Sequence, residues 1–166
     1  MQYVNNYADW IKPEWVDYIL NNTGFPRPEN KQLENAFEQE QNSTIANHGY
    51  NNSVYWYKFT PENFPFEVTM PTGETPTLWW FVKMLPGNLI PMHIDQDIEI
   101  GKHTRLHWMS LTDYVPGHVF VCNDRLHTGY KKGDLFVLDD ANDLHGSCNI
   151  GFEPRIIFNF TTFKEP

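Results

Sequence analysis

His93-Ile94-Asp95 sets an imidazole and a carboxylate two residues apart, and in an extended segment such side chains point the same way. Two histidines and one carboxylate on one face of an octahedron hold non-haem Fe(II) and leave the opposite positions open. His145, which follows the apolar run 135–138, can supply the second imidazole from a different strand, so His93, Asp95 and His145 form a candidate metal triad. Taken alone, His-x-Asp is also an ordinary loop pair beside a strand end; the second histidine gives it weight. Arg155 opens the run Arg155-Ile156-Ile157-Phe158-Asn159-Phe160. If 2-oxoglutarate chelates the metal through its 2-oxo acid end, its far carboxylate needs a partner in an apolar interior, and a bidentate arginine suits that best. The plain alternative is an edge-strand arginine that points to solvent, paired to Glu153 or to nothing.

The elements that must position these residues follow from pattern and punctuation. From Pro13 the apolar residues Trp15, Tyr18 and Ile19 recur at helical spacing, and Asn22-Thr23-Gly24 closes the segment. A second helix is expected within 28–41, where Leu33, Ala36 and Phe37 lie in a run of good helix formers, and 42–52 reads as loop. Beyond Ser53 the chain turns to short β-branched and aromatic runs at 54–59, 77–85, 105–111, 118–122, 135–138 and 155–163. The gaps leave no room for crossover helices, so the strands should be mostly antiparallel. The fold class expected is mainly β: a double-stranded β-helix, jelly-roll or cupin-like, with N-terminal helices packed outside. One domain is expected over 1–166, with 1–52 as helical lead-in and 53–166 as barrel core.

Five landmarks in order carry a resemblance over about residues 77 to 163: Leu85-Pro86-Gly87-Asn88-Leu89-Ile90-Pro91-Met92-His93-Ile94-Asp95, Arg105-Leu106-His107, Lys132 to Asp140, His145 and Arg155. Together they resemble the aspartyl/asparaginyl β-hydroxylase branch of the Fe(II)/2-oxoglutarate oxygenases. The resemblance implies a double-stranded β-helix in which 2-oxoglutarate and O2 become succinate and CO2 while an unactivated C–H bond is hydroxylated. It makes His93 and His145 iron ligands and Arg155 the clamp on the far carboxylate of 2-oxoglutarate, and it places Arg105 and His107 in the cosubstrate pocket. The alternative for His107 is a satisfied histidine in the barrel interior. Asp95 completes the triad where the best-known vertebrate member has glycine, and it argues for hydroxylation over the halogenation seen in relatives that replace this carboxylate. A cosubstrate-binding serine of that member corresponds to Val82 here, with Lys83, Trp80 or Tyr57 as substitutes.

The remaining histidines, His48, His103, His118 and His127, fall off the pattern and read as surface, loop or turn residues. Trp79, Trp80 and Phe81 are expected in the core on both faces of one strand, and Lys131-Lys132-Gly133-Asp134 as a solvated hairpin turn.

The chain of 166 residues carries 12 Lys+Arg against 21 Asp+Glu, a net charge of -9. That balance argues against nucleic-acid and membrane-surface partners, and no apolar stretch approaches the length of a membrane span. Cys122 and Cys148 fit no metal or disulfide pattern and read as free thiols in a reducing, cytoplasmic setting, with a pair on neighbouring strands as the minor alternative. The expected substrate is a small molecule or peptide, specifically an amino acid or an amino-acid side chain. Two other classes stay open: a metal-binding cupin, isomerase or other dioxygenase, that does not use 2-oxoglutarate, and a non-catalytic binding module.

Overall fold

The computed structural model describes residues 1–27, 56–94, 104–138 and 143–164. The expected helix within 28–41, the 42–52 loop, Val54 and Tyr55, His48, Asp95 and the 96–103 stretch with His103 lie outside the described residues. The elements run β1 (Gln2–Asn6), a 3-10 turn (Ala8–Trp10), α1 (Pro13–Asn21), β2 (Phe25–Arg27), β3 (Trp56–Phe59), β4 (Leu78–Met84), β5 (Leu89–His93), β6 (Thr104–Ser110), β7 (His118–Cys122), β8 (Arg125–His127), β9 (Asp134–Leu138), β10 (His145–Asn149) and β11 (Arg155–Phe163). Every strand pairing among the described residues is antiparallel.

Two sheets face each other, a larger one ordered β1-β9-β6-β11-β4-β3-β2 and a smaller one ordered β5-β10-β7-β8. From β4 onward the chain alternates between them: β4, β6, β9 and β11 go to the larger sheet and β5, β7, β8 and β10 to the smaller. Two antiparallel four-stranded sheets filled in this alternation are a double-stranded β-helix, the jelly-roll architecture expected from the strand runs. Within the described part of the lead-in, β1 and β2 extend the two edges of the larger sheet on either side of α1 in sequence.

Strand alternation divides the larger sheet into an outer and an inner face. Phe81 of β4, Met109 of β6 and Ile156, Phe158 and Phe160 of β11 pack outward against Ile11, Trp15 and Ile19 of the helical segment. Trp10 and Phe81 each stand within 5 Å of the Phe158 ring, with centroids 4.9 and 4.7 Å away. Burial of each such aromatic contributes about 1.5–3 kcal/mol. Val82, Met84, Leu106, Trp108 and Ile157 point inward and meet Phe120, Cys122 and Leu138. Because β11 is covered on both faces, its run Ile156-Ile157-Phe158 is continuously apolar, whereas β6 is covered on both faces yet carries Arg105 and His107 between Leu106 and Trp108.

Two connections place the site strands. Asn123 and Asp124 both adopt positive φ, 48° and 61°, as the tight β7–β8 hairpin requires. Gly133, at φ +87°, sits so near the backbone of Tyr7 and Ala8 that a Cβ would lie 2.3 Å from the Ala8 nitrogen. The Lys131 to Asp134 turn therefore joins the two sheets and docks the N-terminal segment, where a solvated hairpin was expected. Cys122 and Cys148 occupy adjacent strands opposite His145 and Val119 respectively, out of reach of each other, and both are free thiols.

Candidate functional site

The strand ends bring His93 and His145 together. They are register partners across β5 and β10, and their ring centroids lie 4.4 Å apart. The register slips between His145 and Ser147, and Gly146 makes this possible, since a Cβ there would sit 2.7 Å from the Met92 sulfur and 3.0 Å from the Met92 nitrogen. On the other side β10 pairs with β7, so His145 stands opposite Cys122 at the mouth of the hairpin. The Asn123 N–H donates to the Leu144 carbonyl at 2.9 Å and the Asn123 amide to the Asp143 carboxylate at 2.6 Å, which fixes the approach to β10. His145 Nδ1 donates to the Asp143 carbonyl at 2.8 Å, which leaves the ring lone pair on Nε2, the tautomer a metal-binding imidazole needs. Among the described residues no third His, Cys, Asp or Glu joins this pair. Asp95, two residues beyond His93, lies outside them.

Both histidines line a cavity of about 610 Å³ between the sheets, within the size range of small-molecule sites. Its walls are mostly aromatic and aliphatic, with Trp56, Trp80, Trp108, Phe120 and Ile157 prominent, and polar groups come from Lys58, Ser147, Asn159 and several threonines. Lys58 Nζ stands 5.2 Å from the centre of the Trp80 ring. Trp80 is thus a cavity residue, whereas Trp79 and Phe81 belong to the outer aromatic cluster. Of the residues considered as substitutes around Val82, Trp80 lines the cavity and Lys83 and Tyr57 do not.

Arg155 is completely buried, which rules out the solvent-facing alternative. It shares the inward face of β11 with Ile157 and Asn159 and lies one layer behind the cavity wall. Its Nη1 donates to the Val119 carbonyl at 2.8 Å and to the Ser147 hydroxyl, and its guanidinium carbon lies 5.4 Å from the Trp108 ring and 5.6 Å from the Tyr130 ring. Burial pulls its pKa down from the ordinary arginine value, partly offset by Tyr130. Ser147 is two positions from His145, so about 6.6 Å of strand separates the histidine from the residue that Arg155 holds.

Arg105 and His107 do not line the cavity. On β6 it is Thr104, Leu106 and Trp108 that face it, so the intervening residues point outward. His107 stacks flat on Phe160, with centroids 4.2 Å apart and planes within 7°, and its Nε2 pairs with the Thr162 hydroxyl at 3.0 Å. His107 thus meets neither expectation, the pocket or the satisfied histidine of the barrel interior: it packs on the outer face, with Nε2 paired to a side-chain hydroxyl. His118 and His127, read as surface or turn residues, stand on β7 and β8, and His118 is only 1% exposed. Sequence reasoning missed Lys58, Ser147 and Trp108 as site residues. The strand phase of Leu106 and Trp108, alternating with Arg105 and His107, was the available signal for the last, but with both faces of β6 covered it does not tell which face meets the cavity.

No protein-family model matches the chain. Over 68 residues it is 35% identical to glutamine–tRNA ligase of Yersinia enterocolitica and, equally, of an Enterobacter species; the match takes in 41% of this chain and spans 11% of the length of those proteins. Among solved structures it is similar to a predicted oxalate decarboxylase from Thermotoga maritima, with 14% identity, TM-score 0.46, and 66% of this chain and 82% of that one covered. It is also similar to a cupin conserved-barrel protein from Salinispora arenicola, with 17% identity, TM-score 0.41, and 67% and 76% covered. A non-heme monooxygenase in complex with nickel aligns at 16% identity and TM-score 0.42, covering 51% of this chain and 42% of that one.

Proposed function

We propose that the protein is an Fe(II)- and 2-oxoglutarate-dependent dioxygenase that hydroxylates an unactivated C–H bond of an amino acid or of an amino-acid side chain in a peptide. The observation that carries this reading is the His93–His145 pair at the cavity wall, with the buried Arg155 guanidinium joined to Ser147 two residues along the same strand. The donor set fits iron: His93 and His145 would hold it, with Asp95 as third ligand, and imidazole and carboxylate suit a non-haem Fe(II) site. Bound iron would supply the O2 activation that couples loss of CO2 from 2-oxoglutarate to substrate hydroxylation. The protein's own part is to orient and to exclude water. The separation between His145 and Ser147 is on the scale of a five-carbon dicarboxylate, whose far carboxylate would meet Arg155, while the aromatic walls would receive the substrate. Free thiols at Cys122 and Cys148 accord with a reducing, cytoplasmic setting.

One observation favours a second reading, a metal-binding cupin that does not use 2-oxoglutarate: Arg155 stands behind the wall, with one nitrogen already engaged by protein. Anaerobic addition of Fe(II) and then 2-oxoglutarate separates the two. A weak visible metal-to-ligand charge-transfer band is expected, lost in His145→Ala, together with succinate formation in air when amino acids and short peptides are screened. A folded, iron-loaded protein that gives no band with 2-oxoglutarate would select the cupin reading.

A further inference from the structure

Asn159 is a polar side chain of the cavity wall that the protein leaves unanswered. The Ser147 hydroxyl donates to the Val119 carbonyl at 2.8 Å, and the hydroxyls of Thr77 and Thr161 pair with each other at 2.6 Å. Asn159 lines the same cavity and is 7% exposed, yet its carboxamide has no hydrogen-bond partner among the described residues. A buried amide without a partner is costly, so such a group in a cavity wall marks where polar atoms of a ligand belong. Asn159 is the register partner of Trp80 on one side and of Trp108 on the other, which sets it between two indoles. It stands four positions beyond Arg155 on the inward face of β11, about 13 Å along the strand, and so apart from the buried guanidinium.

Charge narrows what that ligand can be. Among the described residues that line the cavity, Lys58 brings an ammonium and none brings a carboxylate. Lys58 stands on β3, next to β4, and its Nζ lies 5.2 Å from the centre of the Trp80 ring, a cation–π distance. The ammonium and the carboxamide therefore flank Trp80 from the strands on its two sides. One carboxylate matches both, because the ammonium supplies the counter-charge that an anion needs within aromatic walls and Asn159 Nδ2 donates a hydrogen bond. We propose that Lys58 and Asn159 bind a carboxylate of the substrate, so that the substrate is an amino acid or a C-terminal residue with its α-carboxylate free, and not an internal residue of a peptide. Its apolar part then lies against Trp80 and Trp108. The inference rests on the reading above, in which this cavity receives the substrate, and narrows the substrate class.

The test is calorimetric binding of N-acetylphenylalanine and of N-acetylphenylalaninamide, alike in shape and different in charge, to the full chain loaded anaerobically with Fe(II), with and without saturating 2-oxoglutarate. The parent should bind the acid about tenfold or more tightly than the amide. Lys58→Met and Asn159→Leu should each remove about tenfold or more of the acid's affinity and leave the amide within about twofold. Lys58 is half-buried, so Lys58→Met decides the matter even where Asn159→Leu does not fold. Equal binding of acid and amide by the parent, no binding of the acid, or variants that weaken both compounds alike overturns the proposal. So does competition between 2-oxoglutarate and the acid, since the carboxylate site is then the cosubstrate's. Failure of the cosubstrate reading shows separately, as a missing charge-transfer band with 2-oxoglutarate, and the preference for acid over amide is then read with Fe(II) alone.

Discussion

His107 and Arg155 show how one position of strand phase decides what a polar residue can do. Arg155 points inward on β11 and carries its charge to the back of the cavity wall, whereas His107 points outward on β6 and is spent on packing. The coplanar stack on Phe160 and the bond to Thr162 give His107 a structural task that needs no ligand. His107→Leu would keep the apolar contact and orphan the buried Thr162 hydroxyl, at a cost of about 1–3 kcal/mol. Denaturant unfolding should register that loss, while the affinity for 2-oxoglutarate, read from the charge-transfer band, should stay within about twofold, well below the tenfold that one lost ligand bond produces. A much larger loss of affinity at unchanged stability would return His107 to the pocket.

At the scale of elements, α1 meets the larger sheet through its apolar face and through one lysine. Lys83 points to the outer face of β4 and is 5% exposed; its Nζ donates to the Asn22 carbonyl at 2.5 Å and the Leu20 carbonyl at 3.5 Å, beside the C-terminus of the helix. The last turn of α1 has no basic residue of its own, so Lys83 supplies the cation that the exposed carbonyls and the dipole favour. Burial lowers its pKa, because it penalises the charged ammonium. Lys83→Met should destabilise the protein by about 1–3 kcal/mol and speed proteolysis near residue 22, with iron binding retained. A variant as stable and as resistant as the parent would mean that the helix is held by its apolar face alone. This docking could not be read from the sequence, where Lys83 is one polar residue in a strand. The apolar runs did mark β4, β6, β7, β9 and β11 to within a residue or so, because aromatic and β-branched side chains fit a pleated, covered surface. By contrast β10, His-Gly-Ser-Cys-Asn, has no strong strand former and is held by β5 and β7 on its two sides. The meeting of His93 and His145 from two different strands was foreshadowed by residue type and order, whereas the outward phase of Arg105 and His107 depended on which face of a doubly covered strand meets the cavity.

At the scale of the molecule, the response to pH follows from where histidines are buried. His118 is 1% exposed, and its Nε2–H donates to the Glu153 carbonyl at 3.1 Å, while Nδ1 meets no hydrogen-bond partner. Burial therefore lowers its pKa; Arg155 adds to the effect, and the Glu153 carbonyl and carboxylate oppose it. Burial lowers His127 as well, with the N-terminus and Arg125 acting in the same direction. An unfolded chain takes up these protons as pH falls through about 6.5, and the folded chain does so only at lower pH. The unfolded state then binds more protons, so the stability contributed by these neutral histidines is fully present above about pH 6.5 and is lost as the pH falls below it. The chain's net charge of -9 acts in the opposite direction, because acidification relieves self-repulsion. Comparing the parent with His118→Gln separates the two effects, since the substitution leaves the net charge at neutral pH unchanged and removes one titrating site. Thermal midpoints measured from pH 7.5 to 5.5 should fall more steeply for the parent, by no more than one proton's worth of slope, and the curves should converge in shape above pH 7. Parallel curves across the whole range would mean that His118 accepts its proton in the folded state and that Arg155 is shielded from it.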